Sequence, residues 1–266
     1  MTDFITEQNL ELISKDALME ASKIALEFKN KTMKVEYKTK GQPVTEADVK
    51  IDNYLKDFFK RKTPNFGWLS EETEDDGSRL KNEYFWCLDP IDGTRSFINH
   101  KPEYTISLAL INNTKPILGF IVNPETQEFF FAKKNKGAFC NGKKINVNNK
   151  KEIQNCKYAI SNSEIARLSE LNIVHEKNII RMGSIAYKIA LVAKGEIDIA
   201  ISFTKKNDWD VAAADLILQE AGGKINEING KLLQYNTSDL KIKSIVASNK
   251  TILAKLQYRL SHRNIH

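Results

Sequence analysis

Three changes of hydrophobic rhythm along the chain predict a mixed fold, α+β in its first half and α/β in its second. From Gln8 to Asn30 the apolar residues Leu10, Ile13, Ala17, Ala21, Ile24 and Phe28 recur at steps of three and four, which is one face of a long amphipathic helix. Between Phe66 and Phe131 the rhythm shortens to β-branched and aromatic runs, FGWLS, YFWCL, YTISLALI, ILGFIV and EFFFA. Asn112 to Pro116 and Asn123-Pro124 supply turns between consecutive runs. After about Lys151 strand and helix patterns alternate. The predicted organisation is an N-terminal lobe over residues 1–150, two helices on an antiparallel meander, and a mixed α/β lobe over residues 151–266.

Taken in order, the first helix is followed by a polar, β-leaning piece, VEYKTKGQP. Thr45 then stands three residues before Asp48, ahead of Ile51, Leu55, Phe58 and Phe59, and reads as the cap of a second helix. In the second half YAIS and NIIRM read as strands, with a polar helix from Ser163 to Leu171 between them. SIAYKIALVAKG reads as a helix, DIAISF as a strand, and WDVAAADLILQEAGG as a helix stopped by Gly222-Gly223. KINEI and SIVAS are strands, and TILAKLQYRL closes the chain as a helix.

Composition narrows the functional classes. The chain has 266 residues, 41% hydrophobic and 28% charged, with no low-complexity tract and no internal repeat. Its net charge of +6, from 40 Lys and Arg against 34 Asp and Glu, is spread among Asn and Ile instead of clustering. That pattern predicts a solvated surface and no nucleic-acid partner. The densest basic stretch, Ala132 to Lys157, reads as polar hairpin turns. Cys87, Cys140 and Cys156 show no C-x-x-C spacing, so neither a disulfide framework nor a zinc knuckle is expected. The N-terminus has no basic-then-apolar signal pattern, and no apolar run approaches the roughly 18 residues of a membrane span. A cytoplasmic protein without membrane contact is expected.

Carboxylates at the ends of apolar runs carry the chemistry. WLSEE puts Glu71 and Glu72 at one such end, WCLDPID puts Asp89 and Asp92 at another, and NDWD puts Asp210 in the first turn of an apolar helix. Buried charges need partners, and if these ends converge only cations stabilise the group. Hard oxygen donors without a nearby His or Cys cluster point to Mg²⁺. Pro90 fixes a bend from which Asp89, the Ile91 carbonyl and Asp92 can face one side. Gly93-Thr94 then offers open backbone N–H groups for an anion. Metal beside an anion cradle is the equipment for phosphoryl transfer to water. Histidines 100, 175, 262 and 266 are scattered and supply no nucleophile or base.

Each signal has a bland reading alone: Asp-Gly-Thr occurs in turns, Glu pairs are solvated, and Asp at a helix start serves the helix dipole. Their joint occurrence favours the site. The D-x-D-G-T pattern of haloacid-dehalogenase-type phosphatases does not fit, because Asp89 lies three residues before Asp92. A calcium loop with alternating oxygens is absent too.

The segments PVTEAD, WLSEE, WCLDPIDGTRSF, GAFCNG, MGSIAYKIALVAKGEIDIAI and WDVAAADLILQEAGG together resemble the inositol monophosphatase superfamily of Mg²⁺-dependent, lithium-sensitive phosphatases. The resemblance implies an α/β/α/β/α layered sandwich, often a homodimer, holding two or three Mg²⁺. It implies that Glu71, Asp89 and the Ile91 carbonyl hold one metal and that Asp89, Asp92 and Asp210 hold the second. Glu71 and Thr94, with Asp48 behind Thr94, would orient the attacking water. Gly93, Thr94 and Arg95, with Gly183 and Ser184, would contact a small phosphorylated metabolite. Inositol-specific members carry an acidic residue seven positions before the W-D aspartate, where this chain has Phe203. Phe203, Lys205 and Lys206 suit a base and a second phosphate, or else a core ring and a solvated loop. With the DPIDGTRSF and NDWDVAAAD wording, which resembles the bacterial 3'(2'),5'-bisphosphate nucleotidase branch, the expected substrate is adenosine 3',5'-bisphosphate. Inositol phosphate, fructose 1,6-bisphosphate and histidinol phosphate are the enzymatic alternatives, and a non-catalytic phosphate or nucleotide sensor is the alternative of another class.

Overall fold

Both N-terminal helices form where the apolar spacing places them, because each has one stripe to bury and the same sheet face to bury it on. A computed structural model gives the fold and describes residues 7–31, 34–38, 41–170 and 174–261. Residues 1–6, Thr39, Lys40, Leu171, His262 and His266, all read above, lie outside the described residues. Helix α1 (Glu7–Lys29) leads through the antiparallel ribbon β1 (Val35–Tyr37) and β2 (Pro43–Thr45) to α2 (Glu46–Lys62). Thr45 caps α2 as predicted, in a reciprocal capping box with Asp48.

The large sheet follows the chain order of its seven strands. These are β3 (Gly67–Ser70), β4 (Tyr84–Asp92), β5 (Thr105–Asn112), β6 (Lys115–Asn123), β7 (Glu128–Lys133), β8 (Gly137–Cys140) and β9 (Lys143–Ile145). The sequence predicts an antiparallel meander, and six of the strands form one; β3 instead runs parallel to β4, with Gly67 opposite Phe85. The intervening residues, carrying the short α3 (Ser78–Lys81), return the chain to its starting end, as a parallel pair requires. A second short helix, α4 (Thr94–Ile98), lies between β4 and β5. The polar hairpin turns read between Ala132 and Lys157 contain β8 and β9.

Apolar runs without alternation are explained by burial on both faces. In β4, Phe85 and Cys87 point into one core while Trp86 and Leu88 point into the other, beneath α1 and α2.

The rest of the chain builds three more layers. Strands β10 (Tyr158–Ile160), β11 (Ile179–Arg181) and β12 (Ile199–Ser202) join β14 (Gly223–Asn226) and β16 (Ile245–Asn249) in a five-stranded mixed sheet ordered β11-β10-β12-β16-β14. Two-residue strands β13 (Lys206–Asn207) and β15 (Lys241–Ile242) pair separately. Helices α6 (Ile185–Ala193) and α7 (Asp208–Glu220) fill the space between the two sheets. Helices α5 (Ile165–Glu170) and α8 (Lys250–Ser261) cover the far side of the small sheet. The result is the α/β/α/β/α sandwich that the resemblance implies. No helix among the described residues is long and apolar enough to cross a membrane, and all three cysteines are buried and unpaired.

Glycine at one point lets α7 press onto the large sheet. A Cβ on Gly119 of β6 would sit 2.7 Å from the Ala213 carbonyl oxygen of α7, closer than atoms pack. Since α7 carries Asp210 and the sheet carries Asp89, this contact sets their separation. Gly119→Ala should therefore lower the unfolding free energy by about 1–3 kcal/mol, measured by denaturant titration; an unchanged midpoint would contradict this reading.

Candidate active site

Three structural elements meet at one place and together deliver four carboxylates. Glu71 follows β3, Asp89 and Asp92 flank a register shift in β4, and Asp210 lies in the first turn of α7. The shift between Asp89 and Asp92 is an irregularity that breaks strict strand alternation. Ligand oxygens of Glu71, Asp89 and Asp210 come within 4.8 Å of one another.

In each aspartate the fold pins one oxygen. Asp89 Oδ1 accepts the Ile91 N–H at 3.0 Å, and Asp210 Oδ2 accepts the Asn207 N–H at 2.6 Å. Asp92 Oδ2 accepts from Ser184 Oγ at 2.6 Å and from the Ala186 N–H at 2.7 Å. Asp48 Oδ2 accepts from Thr45 N–H at 2.8 Å and Thr45 Oγ1 at 2.6 Å. The other oxygen of Asp48 takes the Thr94 hydroxyl at 3.5 Å, and that hydroxyl also lies 3.1 Å from the Ile91 carbonyl. Asp48 and Asp210 thus use the same device: each is the third residue of its helix, reaching back to the cap.

The electrostatics ask for a cation. Asp89 Oδ2 is buried and has no hydrogen-bond partner among the described residues. Burial, reinforced by Glu71, Asp92 and Asp210, holds the Asp89 carboxyl well above the usual carboxylate range. Burial raises Glu71 and Asp92 too, and pushes Asp210 up to about 7 and Asp48 up to about 6. Lys38, beyond the ribbon strand β1, places its ammonium 2.6 Å from Glu72 Oε1 and 3.4 Å from Glu71 Oε1. Lys38 on the rim, with Lys241, Lys188 and Lys206 acting on individual members of the cluster, still leaves Glu71, Asp92 and Asp210 raised. An orphaned oxygen amid all-oxygen donors fits Mg²⁺.

Beside the carboxylates the backbone is shaped for close approach. Gly93 has φ 96°, and a Cβ there would meet the Glu103 carbonyl oxygen at 2.9 Å and Ser184 N at 3.1 Å. It opens α4, whose first N–H groups have no acceptor within the helix. Arg95 is exposed and its guanidinium reaches the Gly41 carbonyl at 3.3 Å. Gly183 lies flat against Ser96, whose Oγ would be 2.1 Å from any Cβ. Ser184 caps α6 from a left-handed φ of 51°.

A cavity of about 160 Å³ opens on this cluster. Glu71, Asp92 and Asp210 line it together with Lys188, Lys205, Lys206, Ser161 and Ser184. Of the two readings open for Phe203, the core one matches its position: the ring is buried beside Ile201 and Val246, 5.2 Å from the Arg167 guanidinium, and is not part of the cavity wall. Sequence reasoning missed Lys188. It is buried, it donates to Ser161 Oγ at 2.7 Å, and burial pushes it down to about 8. A lysine inside the otherwise apolar helix IAYKIALVA was the available signal.

Layered sandwich, clustered carboxylates and an N–H cradle define a metal-dependent phosphoric monoester hydrolase. The chain belongs to the inositol monophosphatase family, which matches residues 7–266. "Inositol monophosphatase 3" of Solanum lycopersicum is 29% identical over 91% of this chain and 92% of its own length. "Fructose-1,6-bisphosphatase/inositol-1-monophosphatase" of Thermotoga maritima is 30% identical over 71% of this chain and 72% of its own. Among solved structures, extragenic suppressor protein suhB of Bartonella henselae superposes with a TM-score of 0.83 at 28% identity, covering 94% of this chain and 98% of that one.

The raised carboxyls give a stability signature. A carboxyl held above its unfolded range binds its proton more tightly in the folded state, so the stability it contributes is lost as pH rises through the folded value. For Asp48, raised from 3.8 to about 6, and Asp210, raised from 3.8 to about 7, the window is roughly pH 4 to 7. Without divalent cations the melting temperature should fall across that window, and saturating Mg²⁺ should flatten the fall. A metal-free protein whose melting temperature climbs steadily from about pH 4 to about pH 7 would refute this.

Proposed function

We propose that this enzyme is a cytoplasmic 3'(2'),5'-bisphosphate nucleotidase, hydrolysing the 3'-phosphate of adenosine 3',5'-bisphosphate to AMP and phosphate. One observation carries the substrate choice. Lys188, Lys205 and Lys206 line the same cavity as Glu71, Asp92 and Asp210, a set of cations suited to a second anion beside the phosphate being cleaved. Phe203 plays no part in this reading, since its ring is core.

In the proposed mechanism Glu71, Asp89, Asp92 and Asp210, with the Ile91 carbonyl, hold Mg²⁺. When bound, the metal supplies Lewis acidity that activates water and neutralises the leaving oxygen. Backbone N–H groups of Gly93, Thr94 and Arg95 orient the phosphate. Glu71 and the Thr94 hydroxyl orient the attacking water; as its oxygen bonds to phosphorus, the bond to the 3'-oxygen breaks. The water's proton passes through the Thr94 hydroxyl to the Asp48 carboxylate behind it, and the 3'-oxygen leaves as the alcohol by taking a proton from solvent. Ser184 holds Asp92 in place through its hydroxyl. Gly183 lets the start of α6 lie close to the phosphate turn.

A sugar phosphate is the second reading, favoured by the names of the relatives, which describe inositol and fructose phosphatases. Initial rates with Mg²⁺ on adenosine 3',5'-bisphosphate, inositol 1-phosphate, fructose 1,6-bisphosphate and histidinol phosphate separate the two. The bisphosphonucleotide should lead in kcat/KM by about tenfold or more, the discrimination a few well-placed polar contacts provide. Faster turnover of inositol 1-phosphate would sink the nucleotidase assignment. Asp89→Asn should lose Mg²⁺-dependent phosphate release on every substrate while retaining the wild-type circular dichroism spectrum. A folded variant with wild-type rates would remove Asp89 from the mechanism.

A further inference from the structure

We propose that Glu164 is the positioning residue for the basic wall of the cavity, setting substrate affinity from outside the site; the inference rests on the reading of that wall as an anion-binding surface. Glu164 ends a short 3-10 turn, Asn162–Glu164, that follows β10. It is buried, yet it is absent from the cavity wall. Its Oε1 accepts the Phe203 N–H at 2.6 Å and the Thr204 N–H at 3.0 Å. Ser202 Oγ donates to the same carboxylate at 3.0 and 3.2 Å. Three consecutive residues, the last of β12 and the two that follow it, are thereby gathered on one carboxylate, as charge-assisted bonds do best.

The consequence falls on Lys206. Thr204, whose N–H Glu164 holds, accepts the Lys206 ammonium on its own Oγ1 at 2.9 Å. Lys206 is also the residue before Asn207, the N-cap of α7 whose N–H is tied to Asp210. A displaced 202–204 turn would therefore move the lysine first, because its side chain leans on that turn, while Asp210 stays fixed by its helix. The other end of the same 3-10 turn reinforces this: Ser161, just before it, takes the buried Lys188 ammonium at 2.7 Å. One turn thus braces two cations that line the cavity, Lys188 and Lys206, and a carboxylate there does more than satisfy backbone N–H groups.

Kinetics on Glu164→Ala, Glu164→Gln, Lys206→Met and the Glu164→Ala/Lys206→Met double variant test the proposal. A residue that acts through substrate binding changes KM with little change in kcat, so Glu164→Ala should raise KM about tenfold and leave kcat within about threefold. Glu164→Gln should fall between, because its amide oxygen still accepts both N–H groups. Removing the lysine should raise KM as well, and the double variant should be no worse than about the poorer single, since both changes disable one unit. Should Glu164→Ala fail to fold, Glu164→Gln with Lys206→Met carries the same cycle. Additive effects, an unchanged KM in Lys206→Met, or a loss confined to kcat would overturn the proposal. The cycle is run on whichever phosphomonoester the wild-type enzyme turns over fastest, so a failed nucleotidase assignment leaves the result readable.

Discussion

Mutual repulsion among Glu71, Asp89 and Asp210, whose ligand oxygens come within 4.8 Å of one another, is the constraint around which this chain is organised. At an effective dielectric of about 20, two ionised carboxylates at that range repel by roughly 3–4 kcal/mol. Three such pairs oppose folding by about 10 kcal/mol, comparable with the whole net stability of an ordinary domain. The cluster therefore persists only if protons or cations fill it, and the raised carboxyls of Asp89 and Asp210 express that choice. A site rich in oxygen donors, whose carboxyls hold on to protons near neutral pH for want of another cation, is a site for a hard divalent cation.

The fold meets this cost with local devices. One oxygen of Asp89, Asp92, Asp210 and Asp48 is pinned by a backbone N–H or a hydroxyl, so the carboxylates cannot swing apart to relieve the repulsion. Two of the four are capping-box residues, which makes helix stability and site geometry one requirement. The layers add the long-range part. Gly119 brings α7 onto the large sheet, Gly93 brings the turn between β4 and α4 onto the start of α6, and Asp92 ties that turn to α6 through Ser184 and Ala186. The activity of the inositol monophosphatase family is thus built into contacts between halves of the chain that are far apart in sequence.

Most of this was legible in the residues. Helical spacing from Gln8 and the capped start at Thr45 encode α1 and α2 locally, and turn residues between apolar runs encode the meander. The convergence of Glu71, Asp89 and Asp210 was legible because charge at the end of an apolar run is costly enough to need a reason. The parallel pairing of β3 with β4 was not, because short apolar runs carry no direction. Strands β13 and β15, two residues each, leave no periodicity to read. Phe203 was ambiguous because a strand end offers both a core face and a cavity face, and only the packing beside Arg167 decides. Lys188 was visible as a charge inside an apolar helix, but its target, Ser161, lies 27 residues away and only the fold brings it near.

The central claim is that the buried carboxylates exchange protons for Mg²⁺. Calorimetric titration of Mg²⁺ at pH 7 in two buffers of different ionisation enthalpy measures protons released per metal directly. Groups pushed up toward about 7, as Asp210 is, are partly protonated there and must give up their protons to bind metal. The account predicts net proton release for the wild type and its marked reduction in Asp89→Asn. Mg²⁺ binding with no proton release, or with the same release in both proteins, would contradict it.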